Sequence, residues 1–285
     1  MHDTRLANEL TLALAPADFD RLSRFIYQEC GIKMPEAKKS MLEARLQKRV
    51  RALGLTTFRQ YCDFLFSAQG MAQELIQMID LVTTNKTDFF REPDHFDYLV
   101  RRVLPDWLTR NGGRRLAVWS AGCSTGEEPY TLAMVLNEYA ERTPGFQFSI
   151  LATDISTRVL EKAQLGIYEE ERVEPIPLSL KRKYLLRSRD RSSERVRVSP
   201  ELRQKVVFRR LNFMDDDFGL SEPLDIIFCR NVIIYFDRPT QEQLLSHFCQ
   251  HLRADGHVFL GHSETLSGLH LPLASVHPTV YRKQP

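Results

Sequence analysis

No run of 18 consecutive apolar residues occurs in the 285-residue chain, so no segment reads as a membrane-crossing helix. The opening residues, MHDTRLANELTLALAPADF, hold no basic region followed by a long apolar stretch, and no secretory signal is expected. Cysteine is scarce: five residues, at 30, 62, 123, 229 and 249. They form no C-x-x-C pair and the count is odd. No histidine stands at zinc spacing, so neither a disulfide framework nor a metal site is expected. Reduced thiols in a cytoplasmic protein are the simplest reading. Phosphate-binding loops are missing as well. The loop at 122–126 is not G-x-G-x-x-G, and no lysine follows Gly126. His262-Ser263-Glu264 lacks a G-x-S-x-G elbow, which sets hydrolase chemistry aside.

What is present is ample apolar material, 43% of residues, enough for a proper core in one large domain or two smaller ones. Net charge is +2 but uneven. Residues 36–53 carry a net +4 and residues 181–210 a net +9, leaving the rest near −11. Two basic patches on an acidic background suggest an acidic partner.

Residues 18–82 show only helical periodicity: Phe19, Leu22, Phe25 and Ile26; then Leu42, Leu46, Val50 and Leu53; then Phe58, Tyr61, Cys62 and Leu65; then Leu75, Met78, Ile79 and Val82. A four-helix unit over 1–82 is predicted. A polar, turn-prone segment, 83–92, follows. From 93 to 285 strands and helices alternate. Strands are predicted at 116–121, 148–153, 206–211, 224–229 and 257–261, with a possible last one at Thr279–Arg282. Helices are predicted at 127–141, 156–165 and 239–253. The alternation implies an α/β fold with an open, mostly parallel sheet. Val196 and Val198 alternate with arginines, so a small β-subdomain is expected as an insert at about 176–205.

The segment LAVWSAGCSTGEEP (116–129) is the most informative. A buried strand runs into a loop with Gly122 and Gly126, and Glu127, Glu128 and Pro129 open a helix. This arrangement offers backbone N–H groups to a nucleotide-like ligand. A second strand ends in Asp154, an acidic tip suited to ribose hydroxyls. Glu127 and Glu128 would repel a pyrophosphate, which favours a cofactor with a positive centre, such as S-adenosylmethionine. Ligands of open α/β sheets sit outside the carboxyl ends of the strands. That rule brings Gly122, Asp154, Asn212 and the Arg230-Asn231 pair together. Asn212 offers a donor and an acceptor to an adenine edge, with Phe213 as an apolar face. Asn212 as a simple turn former, and Tyr235 with Phe236 as core packing, stay open as alternatives. Arg91, between Phe89-Phe90 and Glu92-Pro93, suits a carboxylate through its fork of donors.

Taken together these segments resemble the chemotaxis receptor methyltransferases of the CheR family. The matching strings are TTNKTDFFRE (83–92), VWSAGCSTGEEPY (118–130), ATDIS (152–156), VLEKAQLGIY (159–168), CRNVIIYFD (229–237) and GHSE (261–264). The resemblance implies a Rossmann-like S-adenosylmethionine-dependent methyltransferase domain behind an all-helical N-terminal domain. It implies methyl esterification of glutamates on the cytoplasmic helices of chemoreceptors, with S-adenosylhomocysteine as product. Carried onto this chain, it implies cofactor contacts from Asn85, Thr87 and Arg91 in the linker. Glu128 would face the positive part of the cofactor and Asp154 its ribose, with Gly122, Asn212, Phe213, Arg230 and Asn231 completing the site. Tyr235 and Arg91 would face the methyl group and the incoming carboxylate. The family's β-subdomain docks a receptor tail through a glycine-bearing turn in some members. Here Arg187, Arg189 and Arg191 take up that space, which puts tail docking in doubt.

The residue chemistry agrees with esterification. A glutamate is already ionised near neutral pH, its reference pKa being about 4.3, so no general base is required. The site must align two charged species and exclude water. N-P-P-Y, common among amine methyltransferases, is replaced by Arg230-Asn231-Val232-Ile233. The basic helix, with Lys38, Arg45, Lys48, Arg49 and Arg51, is expected to grip an acidic receptor bundle. A monomer without membrane insertion or nucleic-acid binding is expected. Two rival readings are a nucleic-acid methyltransferase using the 181–210 patch and a silent cofactor-binding signalling module.

Overall fold

Helical apolar stripes need a face to bury, and the described residues of the first unit supply it with five α-helices: α1 (Pro16–Cys30), α2 (Lys39–Ala52), α3 (Phe58–Leu65), α4 (Ala68–Gln73) and α5 (Leu75–Val82). Phe19, Leu22 and Ile26 of α1, Leu42, Leu46 and Val50 of α2, and Phe58, Tyr61 and Leu65 of α3 are all buried. Gly31 closes α1 at φ 69°, its N–H donating to Tyr27 O at 2.8 Å, a geometry that favours glycine. The predicted fourth helix is α5; α4, ahead of it, gave no stripe, and Ser67 caps it by accepting from Gly70 N at 3.0 Å.

The computed structural model describes residues 12–190 and 193–284, so Arg191 lies outside the described residues. The chain divides into two compact units, residues up to Thr84 and residues from Asn85 onward. Among the described residues no helix is long and apolar enough to cross a membrane.

Two of the basic side chains on α2 serve the helical unit itself. Arg49 grips Glu74 through Nε and Nη2 at 2.6–2.8 Å, and Tyr61 Oη donates to the same carboxylate at 3.1 Å. Glu74 is only 1% exposed, so this charge requires its partner. Arg45 donates to Val82 O at 2.5 Å, Thr83 O at 3.1 Å and Thr84 Oγ1 at 3.0 Å. Lys48 and Arg51 are exposed and Lys38 is half-buried.

The second unit begins with α6 (Pro93–Tyr98) and α7 (Leu104–Asn111), then β1 (Leu116–Ala121), α8 (Glu127–Arg142), β2 (Phe148–Asp154) and α9 (Thr157–Leu165). Next come β3 (Ile167–Glu169), α10 (Leu178–Tyr184), β4 (Leu185–Arg187), β5 (Arg195–Val198), α11 (Pro200–Arg203) and β6 (Val206–Arg210). The last elements are β7 (Leu224–Cys229), α12 (Arg238–His251), β8 (Leu252–Leu260), β9 (Leu273–His277) and β10 (Val280–Lys283). Seven strands form one sheet in the order β6-β2-β1-β7-β8-β10-β9, parallel through β8 and antiparallel for β10 and β9. Alternating side chains feed two cores: Val118, Ile226 and Phe228 on one face, Trp119, Ile227 and Cys229 on the other.

Three strands depart from the pattern reading. β8 starts at Leu252, five residues before the predicted strand, because Arg253-Ala254-Asp255 carry no apolar run. β9, a half-exposed edge strand, gave no periodic signal. The inserted sheet has three strands in the order β3-β5-β4, its first drawn from residues ahead of 176, since a three-residue strand is too short to show a period.

Candidate functional site

The sheet order reverses between β1 and β7, where the chain leaves β1 in one direction and returns in the other. In open α/β sheets that edge opens a crevice beyond the strand ends. Here the β1 loop folds over the tip of β2, with Gly122 N and Cys123 N both donating to Thr153 O at 2.8 and 2.9 Å. Gly122 has φ 83°, and a Cβ on it would fall 2.6 Å from Val232 Cγ2. Gly126 has φ 98°, and a Cβ there would meet Tyr168 Oη at 2.8 Å and Ala163 Cβ at 2.9 Å. Both glycines therefore allow close approach of protein to protein: the first lets the β1 and β7 loops meet, the second seats α8 against α9.

Asp154, 7% exposed, accepts from Ser124 N at 2.8 Å and from Ser156 N at 3.0 Å. It thus ties the β1 loop to the tip of β2. A carboxylate has about four acceptor directions, so this duty is compatible with receiving ligand hydroxyls.

The segment 85–92 lies along the same edge. Ser124 Oγ donates to Asn85 O at 2.9 Å, and Phe90 N donates to Thr131 Oγ1 at 3.2 Å. Arg172 donates to Thr87 O at 2.5 Å, to Asp88 Oδ1 at 3.1 Å and to Glu127 Oε1 at 2.8 Å. Thr87 is buried, and Asn85 and Arg91 are half-buried. Arg91 Nη1 donates to Lys86 O at 3.2 Å.

Beneath this segment lies a buried charge cluster. Arg230, 7% exposed, donates from Nε to Glu128 Oε2 at 2.8 Å and from Nη1 to Arg91 O at 2.6 Å. The same Nη1 lies 3.5 Å from Glu92 Oε2 and 3.4 Å from His95 Nδ1. Its guanidinium also sits 5.1 Å from the Phe96 ring centre and 5.6 Å from that of Phe228. Glu128 Oε1 accepts from Ser120 Oγ at 2.7 Å. Burial, reinforced by Arg230, lowers the His95 pKa to about 4, so its ring is neutral at pH 7. Glu92, Glu128 and Arg230 then carry one net formal negative charge in a low-dielectric setting. That favours a cationic ligand over a phosphate. Arg230, expected at the cofactor, is instead engaged by protein groups and acts on the site by holding Glu128 and the backbone of Arg91.

Glu92, His95 and His262 place one ligand atom each within 4.8 Å of one another, the only such group found among the described residues. Arg230 already supplies a positive charge to it.

At the end of β7, Asn231 is half-buried with φ 59°, and its buried Oδ1 receives no hydrogen bond from the protein. An orphan acceptor beside a net negative cluster fits a ligand that carries an N–H donor and a positive charge. Tyr235 ends a 3₁₀ turn, Ile233–Tyr235, and is half-buried. Asn212 makes the turn that its alternative reading required: its Oδ1 accepts from Met214 N at 3.1 Å. Phe213 packs on Phe248 at 5.8 Å and on Trp119 and Phe218, both at 6.3 Å. Gly122, Asn85, Thr87, Arg91, Glu128, Asp154, Arg230 and Asn231 are linked by these contacts around the β1–β7 edge, while Asn212 and Phe213 follow β6, two strands from β1.

The pattern reading missed four contributors: Glu92, His95, Arg172 and Glu264. Glu264 stands within the GHSE string and Glu92 ends TTNKTDFFRE, so the strings held a signal without a role. Arg172 had none.

A mostly parallel sheet with this reversal, an acidic β2 tip and a buried negative cluster has the form of an α/β transferase that takes an adenosine-bearing cationic donor. The family model described as CheR methyltransferase, SAM binding domain, matches residues 85–281, and that for the CheR all-alpha domain matches 17–83. A chemotaxis protein methyltransferase of Borreliella burgdorferi is 41% identical over 278 residues, covering 96% of each chain. One of Escherichia coli is 42% identical over 270 residues, covering 95% of this chain and 92% of its own. The chain belongs to the CheR methyltransferase family. It is a chemotaxis methyltransferase, and S-adenosylmethionine is its cofactor.

Proposed function

We propose that this protein transfers the methyl group of S-adenosylmethionine to glutamate carboxylates on the cytoplasmic helices of chemoreceptors, forming methyl esters. The observation that carries the reading is the Glu128–Arg230 pair with its bond onward to Arg91 O. It joins the cationic-ligand environment to the backbone of the residue best suited to receive a carboxylate.

When bound, the cofactor supplies an electrophilic methyl group on a sulfonium. The chain's residues do the rest. Glu128 and Glu92 provide the negative field that favours a positive ligand, and Asp154 takes ribose hydroxyls. Asn231 accepts an N–H donor. Arg91 holds the incoming carboxylate through its guanidinium, and Tyr235 donates its hydroxyl to the same group. No residue needs to remove a proton, because the acceptor is already anionic. The neutral state of His95 keeps a second positive charge away from the donor. The protein acts in the cytoplasm, where receptor signalling helices lie.

Exposed Lys48 and Arg51 of α2, with Lys38 just ahead of that helix, are the side chains assigned to an acidic receptor surface. The nucleic-acid alternative is disfavoured by how the 181–210 charges are used. Lys183 pairs with Glu138 and Glu141 at 2.7 and 2.6 Å, and Arg195 with Glu169 at 2.9 Å. Arg197 donates to Leu165 O at 3.0 Å and Arg203 to Val198 O at 3.2 Å.

Incubation of the purified protein with methyl-labelled cofactor and a receptor cytoplasmic fragment tests the reading. Base-labile label on the fragment is expected. Label on RNA alone, or on neither, overturns it.

A further inference from the structure

Glu264 is 4% exposed, and its carboxylate collects four backbone N–H groups: Gly261 at 2.6 Å, Asn231 and Val232 at 2.9 Å, and Ile234 at 3.3 Å. Three of the donors belong to the loop leaving β7 and the fourth to the loop leaving β8. A tight loop that turns its N–H groups inward needs an acceptor for each, and one carboxylate supplies them all. The loop is strained at Asn231, whose φ of 59° lies in the left-handed region. Asparagine visits that region more readily than most residues, but something must hold it there.

The side chain of Asn231 is fixed from the same place. A Cβ on Gly261 would fall 2.5 Å from Asn231 Nδ2 and 2.8 Å from Asn231 N, so backbone without a side chain closes over the amide. Glu264 holds both pieces of that contact, since it binds Gly261 N and Asn231 N with the same oxygen, Oε2. The other end of the amide, Oδ1, is buried and accepts nothing from the protein.

We propose that Glu264 is a positioning residue for the cofactor: by binding Gly261 N and Asn231 N together it holds the Asn231 amide in the one orientation that offers Oδ1 to an N–H donor of S-adenosylmethionine. The inference rests on the assignment of Asn231 to the cofactor made above. It does not depend on which acceptor takes the methyl group. Glutamine at 264 would keep one carbonyl oxygen and put an N–H₂ group against backbone N–H donors. Aspartate would keep the charge but draw it back by one methylene.

A double-mutant cycle read by calorimetric titration with S-adenosylhomocysteine tests this on the full chain. Glu264→Gln is expected to weaken binding at least tenfold when Asn231 is present and less than twofold in an Asn231→Ala background. Glu264→Asp is expected to regain part of the lost affinity, and it serves in the cycle if Glu264→Gln does not fold. Equal losses in both backgrounds would mean that Glu264 acts through general stability, which overturns the proposal, as would no loss at all. Unchanged affinity in Asn231→Ala alone removes the Asn231 contact and the proposal with it. Esterification of the receptor fragment, measured separately, tells failure of the substrate reading from failure here.

Discussion

Arg230 and Glu128 are 102 residues apart in sequence, yet the guanidinium Nε lies 2.8 Å from the carboxylate, and Arg230 Nη1 continues to Arg91 O at 2.6 Å. The pair joins three segments: the β7 tip, the first turn of α8 and the stretch leading into α6. An acid in the first turn of a helix is favoured by the helix dipole. The arginine beneath it anchors that acid from the β7 side.

Removing one partner from such a pair leaves the other buried and uncompensated. Arg230→Ala is expected to destabilise the second unit by about 3–5 kcal/mol, the usual cost of breaking a buried pair. Urea unfolding measures this. A midpoint shift equal to that of an exposed arginine substitution, such as Arg51→Ala, would show that the pair contributes nothing.

Asp154→Asn keeps the shape and one acceptor oxygen but loses the charge. Cofactor affinity is expected to fall by about 1–3 kcal/mol, the range for losing a charge-assisted hydrogen bond. Titration calorimetry reads this directly. An unchanged dissociation constant would remove Asp154 from the ribose position.

Acid should loosen the second unit through its buried histidines. The pKa of His257 is lowered to about 4 by burial, then by Arg282 and Arg110, and that of His95 is lowered to about 4 by burial and Arg230. Unfolded histidine binds its proton near pH 6.5, so between about pH 4 and 6.5 the unfolded chain holds more protons. Stability is therefore full above pH 6.5 and falls as pH drops towards 4, by at most about 3 kcal/mol per histidine. Melting temperatures across that window should fall less steeply in His257→Gln. A slope identical to that of the parent protein refutes the assignment.

Charge reversal on α2 should separate two roles. Lys48→Glu with Arg51→Glu is expected to lower receptor methylation severalfold at low salt, with less difference at high salt, while cofactor affinity is kept. Arg49→Glu faces the buried Glu74 and should instead unfold the helical unit. Circular dichroism distinguishes the cases. A native, receptor-competent Arg49→Glu protein would contradict the role of the Arg49–Glu74 pair.

The helical and strand periods were legible because burial repeats along an element: Leu42, Leu46 and Val50 line one face of α2, and Val118 and Trp119 feed opposite faces of β1. The acidic tip at Asp154 and the glycine loop were legible because a strand end and a left-handed turn leave local marks. Short elements left none: β3 has three residues and β9 lies half-exposed at a sheet edge.

By itself the sequence determined the helical unit followed by an α/β unit, the parallel character of most of the sheet, and the choice of a positively charged donor over a phosphate. Only the tertiary structure decided which charges serve the site and which serve the fold. Arg49 turns inward to Glu74, Arg230 turns to Glu128, and Glu264 gathers amides from two loops. The reason is desolvation. A charge buried in the interior must find its partner in space, and chain spacing carries no record of that partner.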